Sequence, residues 1–373
     1  MFDIILQILW EGLTMDRLFE SFSIKGVEIK NRVCMPPCVV YGVSDESGMA
    51  KDNNIAHYKS LAKGGPGLII QEATCVSPYG KLLPDQLGLW SDEQIPGLKR
   101  IVDAVHAEGV PIFIQLHHAG VVGIEDGAMC CSSDYELTHK DVLKKGRAMT
   151  GEEIKTVRKS FSDAAARAVE AGYDGVELHG CHQYLICQFF NSRVNRRNDE
   201  YGKNKSLLAL EILSDVRNVV PESFVVGIRL GAFEPTLSDG LAHAVELSAH
   251  GIDFIDVSYG FRGEDEPCKP DDFPYRDVIY AAGEIKKNVS CPVFAVYGIQ
   301  SAADARGVLE LTGVDMADIA RGMLVNPNWA NDAKAGRDTG KCLDCAVCLW
   351  RADFRRCPGR KLYYKGAPVF DVE

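Results

Sequence analysis

Apolar residues gather in eight short runs along the chain, and stretches of helical period separate them. The runs are Arg32–Pro36, Gly67–Glu72, Pro111–Leu116, Gly175–His179, Phe224–Leu230, Ile252–Ser258, Cys291–Gly298 and Met316–Arg321. Each reads as a short strand buried on both faces. Between them lie amphipathic segments at Asp52–Lys63, Gln94–Glu108, Glu152–Ala171, Ser206–Val219, Asp239–His250, Tyr275–Lys287 and Ser301–Leu311. Such alternation predicts parallel strands joined by right-handed helical crossovers. Eight units over roughly 300 residues predict an α/β fold of the (β/α)8 TIM-barrel type, in preference to an open doubly wound sheet. No G-x-G-x-x-G follows a strand and opens a helix, so a Rossmann domain is not expected.

One stretch breaks the rhythm. Val121–Met149 holds Gly, Ser and Asp, shows no helical period and follows the third strand. It predicts a lid or hairpin insertion over the mouth of the barrel. The expected organisation is an N-terminal extension at 1–14, a barrel at 15–336 and a cysteine-rich tail at 337–373.

Composition narrows the class. The chain has 373 residues, 46% hydrophobic and 25% charged, with a net charge of −11, which is ordinary for a globular protein and unsuited to nucleic acid or anionic membrane. Met1–Leu13 is apolar but lacks a basic leader and a cleavage site, and it is too short to span a bilayer; Met15 is an alternative start. Thirteen cysteines, an odd number and mostly scattered, do not form a secreted disulfide framework, so a reducing cytoplasm is expected.

In a barrel, chemistry sits at the C-terminal tips of the strands. The fourth tip reads His179-Gly180-Cys181-His182-Gln183-Tyr184. Neutral imidazoles there can donate hydrogen bonds to a substrate oxygen, and a neighbouring phenol can supply a proton. Taken alone, each histidine is as well explained by a structural role. Other tips offer Pro37 and Cys38, Glu72-Ala73-Thr74, Gln115-Leu116-His117-His118, Arg229, Tyr297-Gly298 and Ala320-Arg321-Gly322. Neither a metal-binding H-x-x-x-H nor a G-x-S-x-G nucleophile elbow occurs. The assortment suits an organic cofactor. Gly298, Gly322 and Arg321 could hold a phosphate after strands seven and eight, Gln115 could pair with a heterocyclic imide edge, and Arg229 could face an anionic ring.

From about Arg17 to Asn331 the chain resembles the Old Yellow Enzyme family of FMN-dependent ene-reductases. The resemblance rests on Ile29-Lys30-Asn31-Arg32-Val33 with Met35-Pro36-Pro37, on Gly67-Leu68-Ile69-Ile70 leading to Glu72-Ala73, and on Gly88-Leu89-Trp90-Ser91-Asp92-Glu93-Gln94. Further matches are Gln115-Leu116-His117-His118-Ala119-Gly120, the His179–Tyr184 stretch, and Arg197-Asn198-Asp199-Glu200-Tyr201-Gly202. It implies that Pro37, Cys38, Ala73, Gln115, Arg229, Gly298 and Arg321 line FMN. It implies equally that His179 and His182 bind the substrate carbonyl beside Trp90 and Tyr41, with Tyr184 as proton donor. The implied activity is reduction of the C=C bond of an enone or enoate with NAD(P)H as co-substrate, by an enzyme that forms homo-oligomers. Departures are equally visible. Val39 stands where the family usually has Thr or Cys near the flavin carbonyl, so the redox-sensing role of that cysteine does not transfer to Cys38. Ala320 replaces a usual glycine, Val121 replaces a usual arginine, and the Glu-Asn-Arg stretch expected after Tyr201-Gly202 is missing.

The tail carries Cys342-x2-Cys345-x2-Cys348-x8-Cys357 followed by Pro358, a spacing like that of iron–sulfur ligands. Longer family members carry a [4Fe–4S] cluster there, with a wider last gap and a further nucleotide-binding domain; the sixteen residues after Cys357 leave no such domain to be expected here. An iron–sulfur cluster served by a ferredoxin-like donor, a zinc site and free thiols all remain open. Two other functions stay in view. One is an FMN and iron–sulfur electron-transfer protein. The other is a flavin-dependent amine dehydrogenase or demethylase, which calls for an aromatic and acidic cage where this chain has His179 and His182.

Overall fold

The computed structural model describes residues 16–39, 45–124, 130–139, 142–261, 269–351 and 353–365. Tyr41 and the expected N-terminal extension lie outside the described residues. A hairpin of β1 (Phe22–Ile24) and β2 (Val27–Ile29) opens the fold. Eight parallel strands then close a barrel in chain order: β3 (Val33–Met35), β4 (Leu68–Cys75), β5 (Ile112–His117), β9 (Gly175–Gly180), β10 (Val225–Gly231), β11 (Phe254–Ser258), β12 (Val293–Ala295) and β13 (Met316–Asp318). Crossover helices α1 (Asp52–Lys63), α2 (Ile95–His106), α3 (Gly151–Ala171), α4 (Leu207–Arg217), α5 (Leu237–Ala249), α6 (Asp277–Asn288) and α7 (Ala302–Thr312) join them. The expected TIM barrel is therefore present.

Local chemistry sets the boundaries of the helices. At the start of α3 the Thr150 hydroxyl accepts from Glu153 N–H while the Glu153 carboxylate accepts from Thr150 N–H, a reciprocal cap that satisfies two free donors. Gly172 ends the same helix in the left-handed region, at φ 91°. Ser301 and Asp304 cap α7 in the same way, and Gly313 at φ 74° ends it. Among the described residues no helix is long and apolar enough to cross a membrane.

Within the barrel, alternate residues of each strand point to the axis. At the N-terminal end these are Phe113, Val225, Phe254, Phe294 and Met316, closed from below by Ile24 and Ile29 of the hairpin. The Phe254 ring lies 5.5 Å from Phe113 and 4.8 Å from Phe294. It covers Gly227, where a Cβ would stand 2.0 Å from the ring, so only glycine admits this plug. Burying each of these side chains stabilises the fold by about 1.5–3 kcal/mol.

The insertion after β5 is a three-stranded sheet of β6 (Cys130–Cys131), β7 (Tyr135–His139) and β8 (Val142–Ala148), in the order β6-β8-β7. Two strands stop three residues before their apolar runs end. β12 stops at Ala295 and β13 at Asp318, so Tyr297 and Gly298 lie in a turn, and Arg321 lies in the short helix Ala320–Val325. Beyond it the tail packs back on the barrel. Arg360 donates to Leu324 O, and the Tyr363 hydroxyl donates to Asp332 at 2.8 Å.

Candidate active site

Two residues above the aromatic plug, the axis-facing positions become polar. β5 gives Gln115, β9 Glu177, β10 Arg229, β11 Asp256 and β13 Asp318, all at most 4% exposed. The parallel register sets Gln115 beside Glu177 and Arg229 beside Asp256. Gln115 Nε2 donates to Glu177 Oε1 at 2.6 Å, and Arg229 Nε lies 3.2 Å from Asp256 Oδ2 without hydrogen-bond alignment. Burial, reinforced by Asp256, holds the Glu177 and Asp318 carboxyls well above the usual range. Burial raises Asp256 too, against the pull of Arg229. As carboxylates, the oxygens of Asp256 and Asp318 would have no donor. A retained proton lets these acids bond to one another, so fewer than three negative charges face Arg229.

Two further residues up the strands stand the imidazoles. His117 Nδ1 meets His179 Nδ1 at 3.0 Å, His179 Nε2 meets His182 Nδ1 at 3.0 Å, and His182 Nε2 meets Ser258 Oγ at 2.7 Å. The Tyr297 hydroxyl approaches His182 Nε2 at 3.4 Å. Tyr184 lies edge-on to this chain, with its ring 4.4 Å from His117 and 4.7 Å from His179. Burial keeps all three imidazoles neutral. His117 and His179 fall well below the ordinary value, and His182, close to Arg229, falls to about 3.

Backbone strain supports this geometry. His182 and Gln183 sit in the left-handed region at φ 57° and 67°, as does Tyr297 at 81°. Such positions cost of order 1–3 kcal/mol each and persist only when tied down. Here His182 N–H donates to Tyr259 O at 2.9 Å and Gln188 Nε2 donates to Gln183 O at 2.6 Å. The turn therefore presents His182 to His179.

The other expected residues are placed unevenly around this core. Ala73 is buried in β4 within the register shift between Gln71 and Thr74, and its carbonyl accepts from Gln86 Nε2 at 2.8 Å. Pro37 and Cys38 follow β3, both half-buried. Gly298 adopts φ 79° directly after Tyr297, with Arg276 alongside. Arg321 is paired with Asp344 of the tail, a partner that sequence reasoning missed. Trp90 packs on Gly48 and Gly88 with Lys81 over its ring at 5.8 Å; among the described residues it makes no ring contact with the imidazoles. Sequence reasoning also missed Ser258 and the three carboxyls. Glu177 lies three residues before the end of β9 and Asp256 two before the end of β11, and only the strand register shows that they share a level.

These residues fit a flavin. Arg229 is a buried guanidinium whose Nε has no aligned acceptor, Gln115 offers an amide beside it, and the left-handed turn at Tyr297–Gly298 opens a backbone cradle near Arg276. The tail thiols of Cys342, Cys345, Cys348 and Cys357 are free. Among the described residues no three of them bring their sulfurs within 4.8 Å of one another.

Comparison with known proteins gives the family. Residues 17–340 match the NADH:flavin oxidoreductase / NADH oxidase family. A NADPH dehydrogenase of Listeria monocytogenes serotype 4a (strain HCC23) is 37% identical over 326 residues, covering 86% of this chain and 94% of the relative. One from Halalkalibacterium halodurans is 36% identical over 323 residues, covering 85% and 94%. Among solved structures, the Old Yellow Enzyme homologue from Zymomonas mobilis superposes with a TM-score of 0.75 at 24% identity, covering 90% of this chain and 99% of that one. A 2-naphthoyl-CoA reductase complex superposes at 0.82 with 22% identity over 95% of this chain, which spans 58% of that protein's length. These two structures bear on the fold alone. The chain belongs to the NADH:flavin oxidoreductase / NADH oxidase family, that of the Old Yellow Enzymes, and is an NAD(P)H-dependent flavin oxidoreductase.

Proposed function

We propose that the protein is an ene-reductase, using NAD(P)H and FMN to reduce the C=C bond of an α,β-unsaturated carbonyl compound. The observation that carries this reading is the run of neutral imidazoles from His117 to His182 beside Tyr184 at the barrel mouth. FMN, when bound, would supply the hydride-transfer chemistry between the nicotinamide and the β-carbon of the alkene. The chain's own residues do the rest. Gln115, Arg229, Ala73, Pro37 and Cys38 would line the ring, and Gly298 and Arg321 the phosphate. His179 Nε2 and His182 Nδ1 face each other, and when they turn their N–H groups to a carbonyl oxygen they stabilise the negative charge that grows there. Their neutrality matters, because a charged imidazolium would already be paired and desolvated at high cost in this setting. Tyr184 holds its phenol beside them as the proton source for the α-carbon. Trp90 would bound the substrate space.

The test separates the half-reactions. His179→Ala should slow the oxidative half-reaction with an enone about 10²–10³-fold, as loss of an oxyanion donor does. Flavin reduction by NADPH should stay within severalfold in the same stopped-flow series. Equal loss in both halves would remove His179 from the carbonyl site.

For the tail, tetrahedral zinc held at about 2.3 Å needs thiolates about 3.8 Å apart. The sulfurs are not so gathered, and it is the C-x2-C-x2-C-x8-C-P spacing that supports an iron–sulfur cluster, with zinc and free thiols as the other outcomes. Iron and sulfide content of anaerobically isolated protein decides the point, and a cluster would bring a ferredoxin-like donor with it.

A further inference from the structure

The barrel mouth has a second binding capacity in the same few side chains. One donor atom from each of His179, Cys181 and His182 lies within 4.8 Å of the other two. The facing nitrogens, His179 Nε2 and His182 Nδ1, are 3.0 Å apart. A tetrahedral ion with metal–nitrogen bonds of 2.0–2.1 Å needs them about 3.3 Å apart, so the pair has only to part slightly. Each ring already spends its other nitrogen on an outer partner, His117 for His179 and Ser258 for His182. That is the arrangement that orients metal-bound histidines.

Both outer partners can donate or accept; the 3.0 Å contact is made when one does each, and two further proton arrangements serve a ligand. If His117 and Ser258 donate, the facing nitrogens of His179 and His182 carry hydrogens and suit a carbonyl oxygen. If they accept, the facing nitrogens present lone pairs and suit a cation. Cys181 supplies a soft donor. It is fully buried beside the two rings. Two imidazoles and one thiolate leave a fourth position open to water and select a thiophilic divalent ion.

We propose that His179, His182 and Cys181 form a site for Zn²⁺ or a similar thiophilic divalent cation, and that the ion blocks the carbonyl position. The site itself stands on geometry; the blocking rests on the ene-reductase reading above. The experiment uses the flavin-loaded full chain with Cys342, Cys345, Cys348 and Cys357 changed to Ser, so that the tail takes no metal. Retained flavin and circular dichroism verify its fold.

Zn²⁺ should bind with one equivalent, and Co²⁺ should give the ligand-field bands of a four-coordinate ion with a sulfur ligand. Cys181→Ala and Cys181→Ser should each weaken Zn²⁺ binding at least tenfold and remove the sulfur signature, while enone turnover is retained. Zn²⁺ should inhibit turnover competitively with the enone, and a chelator should reverse it. No stoichiometric binding, or unchanged affinity in both Cys181 variants, overturns the site. Binding without competition leaves the site standing and overturns the placement of the carbonyl between these imidazoles.

Discussion

The two ends of one barrel are built from the same eight strands and have opposite chemistry. At the N-terminal end the inward positions are Phe113, Phe254, Phe294 and Met316, stacked into a plug that Ile24 and Ile29 seal. Two residues further along, about 7 Å along each strand, they are Gln115, Glu177, Asp256 and Asp318 around Arg229. Another step gives His117, His179 and Ser258. The floor is stable because nothing there needs water. The mouth keeps buried polar groups short of partners, and that shortage is what a bound cofactor and substrate can relieve.

Substitutions at the two levels should separate these roles. Phe254→Ala removes the centre of the plug and should cost about 3–5 kcal/mol in urea unfolding, with the bound flavin spectrum unchanged. Arg229→Met should cost a similar 3–5 kcal/mol, because it leaves buried acids without their cation, and should also sharply lower flavin content. If Phe254→Ala disturbed the flavin as much as Arg229→Met, the division between floor and mouth would be wrong.

The floor was the more legible end. Its strands are continuous apolar runs, and α1 spans the very residues expected of it, Asp52–Lys63. The mouth was legible only where residues cluster in sequence, as at His179, His182 and Tyr184. Glu177, Asp256 and Asp318 come from three strands, and each lies inside an apolar run, where an acid carries no periodic signal. Only the barrel register brings them to one level. The ends of the strands were overrun for a related reason. Val296–Gly298 and Ile319–Arg321 continue the apolar pattern, but the chain turns there to deliver Gly298 and Arg321. The hairpin Phe22–Ile29 went unread because two three-residue strands are too short to show a period.

Acid should reveal the next difference. His118, at the mouth, is pushed by burial to about 4, and its Nδ1 accepts from Gly120 N–H at 3.1 Å. The unfolded chain protonates this ring near pH 6.5, whereas the fold keeps it neutral, so the unfolded state takes up the proton first. Stability therefore falls as pH drops below 6.5. The loss from this one ring amounts to about 2 kcal/mol by pH 5. His118→Asn should flatten that acid limb in urea titrations between pH 7 and 5. An acid limb as steep as that of the parent chain would mean the ring is not kept neutral.

The smallest effect has the opposite sign and comes from the floor. His106, at the end of α2, lies 2.8 Å from Asp174, which also accepts from Ile112 N–H at the start of β5. The hydrogen bond to Asp174 raises the His106 pKa against partial burial. A raised imidazole contributes stability that is complete below pH 6.5 and is lost as pH climbs through the folded value. The pair is well exposed, with 38% of the His106 side chain accessible, so its contribution stays below about 1 kcal/mol. His106→Gln should thus match the parent chain at pH 9 and fall behind it at pH 5.5, steepening the acid limb that His118→Asn flattens. The two variants together should tilt the same curve in opposite directions, because one imidazole holds a shared proton at the surface and the other refuses one in the interior. A tilt of the same sign in both would mean that solvent reaches the mouth as freely as it reaches the floor's outer edge.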